Sequence, residues 1–138
     1  AWGQAAIRLG IALASKEIIA LFNKVKYPYN VNILTQKQAI KVLEDVKKKE
    51  QQVAEILEQR AILKDLLLSL TCVEEVYPSD ANFLLVKVND ANGIYKYLQD
   101  KGIIVRNRNR VTLCQNCLRI TVGTPTENAE IFNALKGL

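Results

Sequence analysis

Two arginines in the last third of the chain, Arg106 and Arg119, are the residues best suited by type and spacing to bind an anion. Each lies in a run rich in β-branched residues, so the sequence predicts two strands, Ile103–Arg106 and Cys117–Val122, joined by a polar loop. Because side chains alternate across a strand, both guanidinium groups leave the same side of the sheet if the apolar side covers helices. Such a pair suits a carboxylate or a phosphate. The alternative is that each arginine pairs with a nearby glutamate or lies in water.

The composition is that of a globular chain. Hydrophobic residues make up 49% and charged residues 24% of its 138 residues, which is enough apolar surface to bury a core. No apolar run approaches the roughly 20 residues of a membrane span, and no signal-peptide pattern opens the chain. We therefore expect a cytoplasmic protein without a membrane partner. The net charge of +5 is compatible with anionic ligands or with nucleic acid and requires neither.

Three residue types limit the chemistry. The chain has no histidine, which excludes a Ser-His or Cys-His nucleophile pair within it. It has no methionine, so we expect it to be a processed piece of a longer protein. Its three cysteines, Cys72, Cys114 and Cys117, are an odd number without secretory features, which favours reduced thiols. The CQNC motif leads into a strand and lacks the further ligands that zinc needs, so we expect neither a metal site nor a thioredoxin-type role.

The amino-terminal half is predicted to hold one strand and two helices. Residues Ile7–Leu13 alternate between apolar side chains and Arg8 with small neighbours, a pattern typical of a strand that leaves room beside the arginine. Ser15 is placed to cap a helix that ends before a Tyr-Pro pair. A T-x-x-Q capping box at Thr35 then predicts one uninterrupted helix over residues 35–70, roughly 50 Å long at about 1.5 Å per residue.

The carboxyl-terminal half is predicted to alternate strands and helices. Strands are expected over Cys72–Tyr77 and Phe83–Val88, followed by a helix over Ala91–Lys101 that Asp90 caps. After the two arginine-bearing strands, a Thr-Pro-Thr-Glu capping box starts a last helix that ends near Gly137. The order β-β-α-β-β-α predicts a small sheet with helices on one face. The chain as a whole is therefore expected to be of the α/β class, with an α+β small domain.

Five segments of the chain, taken in order, resemble the carboxyl-terminal part of the fold-type I pyridoxal-phosphate-dependent aminotransferases, and most of all the histidinol-phosphate aminotransferase family. The segments read AWGQAAIRLG, YPYNVN, PSDANFLLV, GIIVRNR and CLRITVGT. The resemblance covers essentially the whole chain. The family commonly has glycine where this chain has Ala6 and an aromatic residue where it has Ile11, two differences that the fold should tolerate.

The resemblance implies roles for four residues. Arg8 matches the arginine that binds the cofactor phosphate, and Arg119 matches the arginine that binds the anionic end of the amino donor or acceptor. Arg106 matches a second substrate-anion arginine of the histidinol-phosphate enzymes, and Asn82 lies in a segment near the substrate mouth. The implied cofactor is pyridoxal 5'-phosphate. The implied partners are a small-molecule amino donor, L-histidinol phosphate, and a 2-oxo acid, 2-oxoglutarate.

The resemblance also implies a domain organisation. Residues 1–34 correspond to part of the large cofactor-binding domain, residues 35–70 to the helix that links the domains, and residues 71–138 to the small domain. The intact enzyme of this family is a homodimer. The family's Schiff-base lysine would immediately precede Ala1, so we expect this chain to be a proteolytic fragment that is inactive alone.

Two other functions are compatible with the sequence. One is a different class I or II aminotransferase, of the aromatic or threonine-phosphate type, because a second arginine favours a phosphorylated substrate without requiring one. The other is a basic nucleic-acid-binding module built on Arg106, Arg108 and Arg110, although aromatic residues for base stacking are nearly absent from this region. Nucleic-acid binding would weaken steeply with salt, with a logarithmic slope of about −0.7 to −0.9 per phosphate contact.

Overall fold

The computed structural model describes residues 2–138, which form two compact units. The first comprises the described residues up to Gln52, and the second comprises Val53–Leu138. None of the helices in residues 2–138 combines the length and the apolar character needed to cross a membrane. The domain boundaries expected after residues 34 and 70 stay a prediction.

The first unit is built from short helices. A 3-10 helix, Ala5–Ile7, is followed by α1 (Lys16–Val25), α2 (Ile33–Leu43) and the beginning of α3 (Val46–Leu68). Ser15 occupies the predicted N-cap position of α1, but its side chain makes no capping hydrogen bond. Among the described residues of this unit only Ala39 is buried, so the unit has no core of its own.

The strand predicted over Ile7–Leu13 is wrong. The 3-10 helix occupies its first residue, Arg8 has a left-handed φ of 57°, and residues 9–15 have no regular structure. A strand exists only where a neighbouring strand completes its ladder of hydrogen bonds, and the described residues of this unit contain no other strand. The alternating sequence therefore has no partner here with which to form a sheet.

The uninterrupted helix predicted over residues 35–70 is also wrong, because two helices occupy this stretch. The side chain of Asn32 accepts a hydrogen bond from Thr35 N at 2.9 Å, so the N-cap of α2 is Asn32 and not Thr35. After α2 ends, Asp45 Oδ1 accepts a hydrogen bond from Lys48 N at 3.1 Å. Because an aspartate side chain accepts hydrogen bonds from the free N–H groups at the start of a helix, Asp45 begins α3 as a separate helix.

The second unit has the predicted order of strands and helices. After the carboxyl-terminal part of α3 come β1 (Val73–Val76), β2 (Phe83–Val88), α4 (Ala91–Asp100), β3 (Arg106–Asn107), β4 (Cys117–Thr121) and α5 (Pro125–Lys136). The strands form an antiparallel sheet in the order β1-β2-β4-β3. The predicted N-caps Asp90 and Thr124 are confirmed, and Glu127 completes the capping box of α5.

Helices pack on one face of this sheet, which confirms the expected α/β class with a small sheet covered by helices on one face. Alternate residues of β2 and β4 point into the core, where they meet side chains of α3, α4 and α5. The fully buried members include Leu63, Leu67, Leu84, Val86, Val88, Leu98, Leu118 and Ile120. Burial of each such side chain contributes about 1.5–3 kcal/mol, so this core fixes the strands that carry the two arginines.

The first arginine-bearing strand is shorter than predicted. Of the expected Ile103–Arg106, only Arg106 lies in β3. The chain leaves α4 through Gly102, whose φ of 78° is left-handed, and Ile103 N donates to Leu98 O at 2.9 Å. This hydrogen bond closes the end of a helix. The backbone of Ile103 is therefore held by the end of α4 and not by the sheet.

Candidate anion-binding site

The sheet brings Arg106 and Arg119 together as direct neighbours. Their Cα atoms are partners in the antiparallel register of β3 and β4, and residues paired in this way project from the same face of a sheet. Leu118 and Ile120, on either side of Arg119, are buried in the core. Arg119 therefore leaves the face opposite to the helices, as the alternation predicts, and Arg106 leaves that face beside it.

No carboxylate neutralises this pair in the part of the chain that the structure describes. The ion pairs there join Lys87 to Glu74 at 3.0 Å and Lys96 to Asp100 at 2.6 Å. Like charges directly opposite one another destabilise a sheet, so the two arginines repel each other as they stand. The alternative in which each arginine pairs with a glutamate is thus not realised among the described residues.

Arg119 is the more buried member of the pair. Its Nε atom is buried and has no hydrogen-bond partner among residues 2–138, whereas Arg106 is exposed. A buried donor without an acceptor costs about 1–3 kcal/mol. An anion with two acceptor oxygens would bind guanidinium donors and reduce the repulsion between the two groups at the same time. The arrangement therefore suits an anion, and the binding of a substrate anion by Arg106 and Arg119 stays a prediction.

Two side chains of β2 complete this surface, and neither was identified from the sequence. Leu85 is the Cα partner of Arg119, and Phe83 is the partner of Thr121, so Phe83 lies diagonally across from Arg119 on the same face. The centroid of the Phe83 ring is 5.1 Å from Arg119 Cζ. The alternation of β2 marks both residues as outward-facing. Their position beside Arg119 depends on the register of two strands far apart in sequence, which neither strand specifies by itself.

Arg8 belongs to the first unit and is described there by itself. It is exposed, it follows the 3-10 helix, and its backbone N–H donates to Ala5 O at 3.2 Å. A Cβ added to the nearby Gly10 would meet no other atom within 4 Å, so the space beside the backbone is open. No ion pair engages Arg8 among the described residues. A guanidinium suits a phosphate group, and the role of Arg8 in binding the cofactor phosphate stays a prediction.

Asn82 is exposed immediately before β2. Its backbone joins the ends of two strands, because Val122 N donates to Asn82 O at 2.9 Å. Asn82 is thus connected through β2 and β4 to the arginine pair. Its role at a substrate mouth stays a prediction.

The CQNC segment forms a tight turn at the start of β4. Cys117 N donates to Cys114 O at 3.1 Å, and Cys117 is buried while Cys114 is partly exposed. Burial raises the pKa of the Cys117 thiol, and the neighbouring Cys114 raises it further. A raised pKa disfavours the thiolate that metals and electrophiles require. The turn leads directly into β4, and its expected lack of a metal or thioredoxin-type role stays a prediction.

A separate cavity of about 400 Å³ lies in the second unit between α3 and the segment that joins β1 to β2, and its lining includes Arg60, Lys64 and Asp80. Arg60 Nη1 donates to Ala81 O at 2.8 Å, so this guanidinium supports the turn before β2. The lining of this cavity includes a carboxylate, that of Asp80, whereas no carboxylate is paired with Arg106 or Arg119 among the described residues. The cavity is therefore less suited to an anion than the arginine pair.

The chain matches the family model of aminotransferase class I and II over residues 1–135. The histidinol-phosphate aminotransferase of Parabacteroides distasonis is 54% identical over 138 residues, which is 100% of this chain and 40% of that protein. The chain thus spans about two fifths of the length of the curated relatives it matches.

Solved structures give the same fold. The histidinol-phosphate aminotransferase from Clostridium acetobutylicum is 25% identical, with a TM-score of 0.83 over 89% of this chain and 38% of its own. The histidinol-phosphate aminotransferase from Sinorhizobium meliloti, solved in complex with pyridoxal-5'-phosphate, has a TM-score of 0.86 at 22% identity. That match covers 98% of this chain and 37% of its own.

Proposed function

The chain belongs to the aminotransferase class I and II family, and from this premise we propose that the full-length protein transfers an amino group between L-histidinol phosphate and 2-oxoglutarate in histidine biosynthesis. The proposal is supported by relatives that are 54% identical over at least 136 residues and are named histidinol-phosphate aminotransferases. It concerns the intact enzyme, because the chain covers 40% of the length of such a relative.

The observation that carries this proposal is the pair of facing arginines without a carboxylate partner. L-Histidinol phosphate ends in a phosphate and 2-oxoglutarate in a carboxylate, so both substrates of the exchange present an anion. Arg119, half-buried on an inner strand, binds the anionic end of the donor or acceptor bidentately. Arg106, exposed on the edge strand β3, adds a second guanidinium and favours the more highly charged phosphate.

Arg8 binds the cofactor phosphate in this proposal. When bound, pyridoxal 5'-phosphate supplies the electron sink for amino transfer. The exposed guanidinium of Arg8 anchors that phosphate by charge-assisted hydrogen bonds, and the open space beside Gly10 lets the group approach the backbone. Asn82 lies at the mouth of the substrate site.

The 138 residues alone are inactive in this proposal. The chain covers 40% of the length of a relative that is 54% identical, so amino transfer requires the rest of the enzyme. The intact enzyme is a cytoplasmic homodimer. Apolar side chains that are exposed in the first unit, such as those of Ile11, Leu13 and Phe22, form the surface on which the remainder of the large domain packs.

The test is an amino-transfer assay of the full-length protein with L-histidinol phosphate, an aromatic amino acid and threonine phosphate as donors. We expect the highest kcat/KM with L-histidinol phosphate. Arg119→Ala should lower kcat/KM roughly ten- to hundred-fold, because a hydrogen bond to a charged group contributes about 1.5–3 kcal/mol. Arg110→Ala, which removes an exposed arginine outside the pair, is the control and should leave kcat/KM unchanged.

The possible outcomes of this assay distinguish between the candidate functions. Preference for an aromatic donor or for threonine phosphate would assign the protein to the related type of aminotransferase. Absence of transfer from all three donors would refute the proposal.

A further inference from the structure

The guanidinium of Arg119 is covered by an aromatic ring. The ring centroid of Phe83 lies 5.1 Å from Arg119 Cζ, within the range of a cation–π contact. The contact follows from the sheet register, because Phe83 pairs with Thr121 and therefore lies diagonally across from Arg119. It leaves the edge of the guanidinium, with its Nη donors, available to an anion.

Phe83 and Arg106 flank Arg119 on opposite sides. In the sheet order β1-β2-β4-β3, Phe83 lies on the strand to one side of β4 and Arg106 on the strand to the other side. Arg106 repels the Arg119 guanidinium because the two charges are alike. The aromatic ring attracts it through the negative face of the π system. Both forces favour a position of the guanidinium towards β2.

Hydrogen bonds do not hold Arg119 in this position. Its buried Nε has no acceptor among the described residues, and the ion pairs of the second unit involve other cations. Among the described residues, the recorded contact of the charged end of this side chain is therefore the one with the aromatic ring.

We propose that Phe83 is a positioning residue, which holds the Arg119 guanidinium in the orientation that binds the substrate anion. The inference rests on the proposed function for its kinetic consequence. A long side chain that is not oriented must lose rotamer freedom when the anion binds, which weakens binding. Because Phe83 orients the Arg119 side chain before the anion binds, less rotamer freedom is lost on binding. Phe83 does not itself touch the reacting atoms.

The experiment compares substitutions in the full-length protein. Phe83→Leu should raise KM for both L-histidinol phosphate and 2-oxoglutarate by about three- to tenfold and leave kcat within about twofold. Phe83→Tyr keeps the aromatic face and should restore the wild-type KM. The matched control is Phe132→Leu, because Phe132 packs against the core on α5 and its loss perturbs stability without touching Arg119.

A double-mutant cycle assigns the effect to the contact. In the Arg119→Ala background, Phe83→Leu should cause no further rise in KM. An equal rise with and without Arg119, an equal rise in Phe132→Leu, or an unchanged KM in Phe83→Leu would each overturn the inference.

A second measurement does not depend on the reaction. In the wild-type protein, the NMR signal of the Arg119 Nε–H group is assigned by its loss in Arg119→Lys. The ring current of Phe83 should shift this signal, and the Nε–H proton should exchange slowly with water. Phe83→Leu should abolish the shift and speed exchange. An unchanged signal would overturn the positioning role even if the enzyme acts on other substrates, whereas absence of amino transfer with this signal intact would refute only the proposed function.

Discussion

At the scale of single residues, Arg106 and Arg119 face each other at an electrostatic cost. They are direct cross-strand partners without a carboxylate among the described residues. We predict that Arg106→Thr leaves the stability of the chain unchanged or raises it by about 0.2–1 kcal/mol, because it removes a like-charge pair. Urea unfolding of the 138-residue chain measures this, with Arg110→Thr as a control that should have no effect. A clear loss of stability in Arg106→Thr alone would reveal a structural role and contradict the prediction.

The three thiols should differ in reactivity. Burial raises the pKa of Cys72 and of Cys117, so at a given pH these two thiols hold less of the reactive thiolate than an ordinary cysteine. Cys114 is partly exposed. We predict that alkylation, followed by mass spectrometry of the 138-residue chain, labels Cys114 at least about tenfold faster at pH near 7.

The pH dependence of the alkylation rates tests whether the raised pKa causes the slower reaction of the buried thiols. Because the pKa of the buried thiols is raised, their alkylation rate should still be rising above pH about 8.5, the ordinary cysteine pKa. In denaturant all three should react alike. Equal rates for Cys114 and Cys117 in the folded chain would contradict the burial explanation.

At the scale of helices and strands, features with local signals could be predicted and features with distant partners could not. Asp90 and Thr124 accept hydrogen bonds from N–H groups two or three residues away, so the sequence specifies both caps. A strand at residues 7–13 needs a partner that the described part of its unit does not contain. Asp45 has a local signal for a helix start, but the apolar pattern that runs through it favours a continuous helix.

In the candidate site, too, positions with local signals could be predicted and a position that depends on a distant strand could not. The alternation along β4 is local, so it predicts that Arg119 faces away from the core, and the structure agrees. The pairing of Arg119 with Arg106 also follows from adjacent strands of one hairpin. The position of Phe83 depends on how β2 aligns with β4, which is set by the assembled core and not by either segment.

A buried polar contact between two helices was not predicted and should matter for stability. Asn128 Nδ2 donates to Gln59 Oε1 and to Gly123 O, each at 3.1 Å, and Gly123 N donates to Asn128 Oδ1 at 2.9 Å. Asn128→Ala would leave the buried Gln59 Oε1 and the half-buried backbone groups of Gly123 without these partners, so we predict a loss of about 1–3 kcal/mol. Urea unfolding followed by circular dichroism measures it. Asn133→Ala, at an exposed position of the same helix, is the matched control, and equal losses in the two variants would contradict the prediction.

At the scale of the whole molecule, the two units differ in what they bury. The hydrophobic core lies in the second unit, whereas Ala39 is the buried side chain among the described residues of the first. We predict that amides of β2 and β4 exchange slowly with solvent in the 138-residue chain, while residues 2–52 exchange at nearly the rate of an unfolded peptide. Hydrogen exchange with mass spectrometry measures both.

The full-length protein is the control for this prediction. Residues 2–52 should gain protection there, because the rest of the enzyme would cover their exposed apolar side chains. Equal protection of the two units in the 138-residue chain would contradict the expectation that the first unit depends on the remainder of the enzyme.

The claim that Arg106 and Arg119 bind the substrate anion together is tested most directly by one ratio in the full-length protein. The ratio divides kcat/KM for L-histidinol phosphate by kcat/KM for L-histidinol, which lacks the phosphate. We predict a ratio of about a hundred or more in the wild type, and a ratio at least about tenfold lower in Arg106→Gln, with little change in kcat/KM for L-histidinol itself. A ratio in Arg106→Gln as large as in the wild type would contradict the claim.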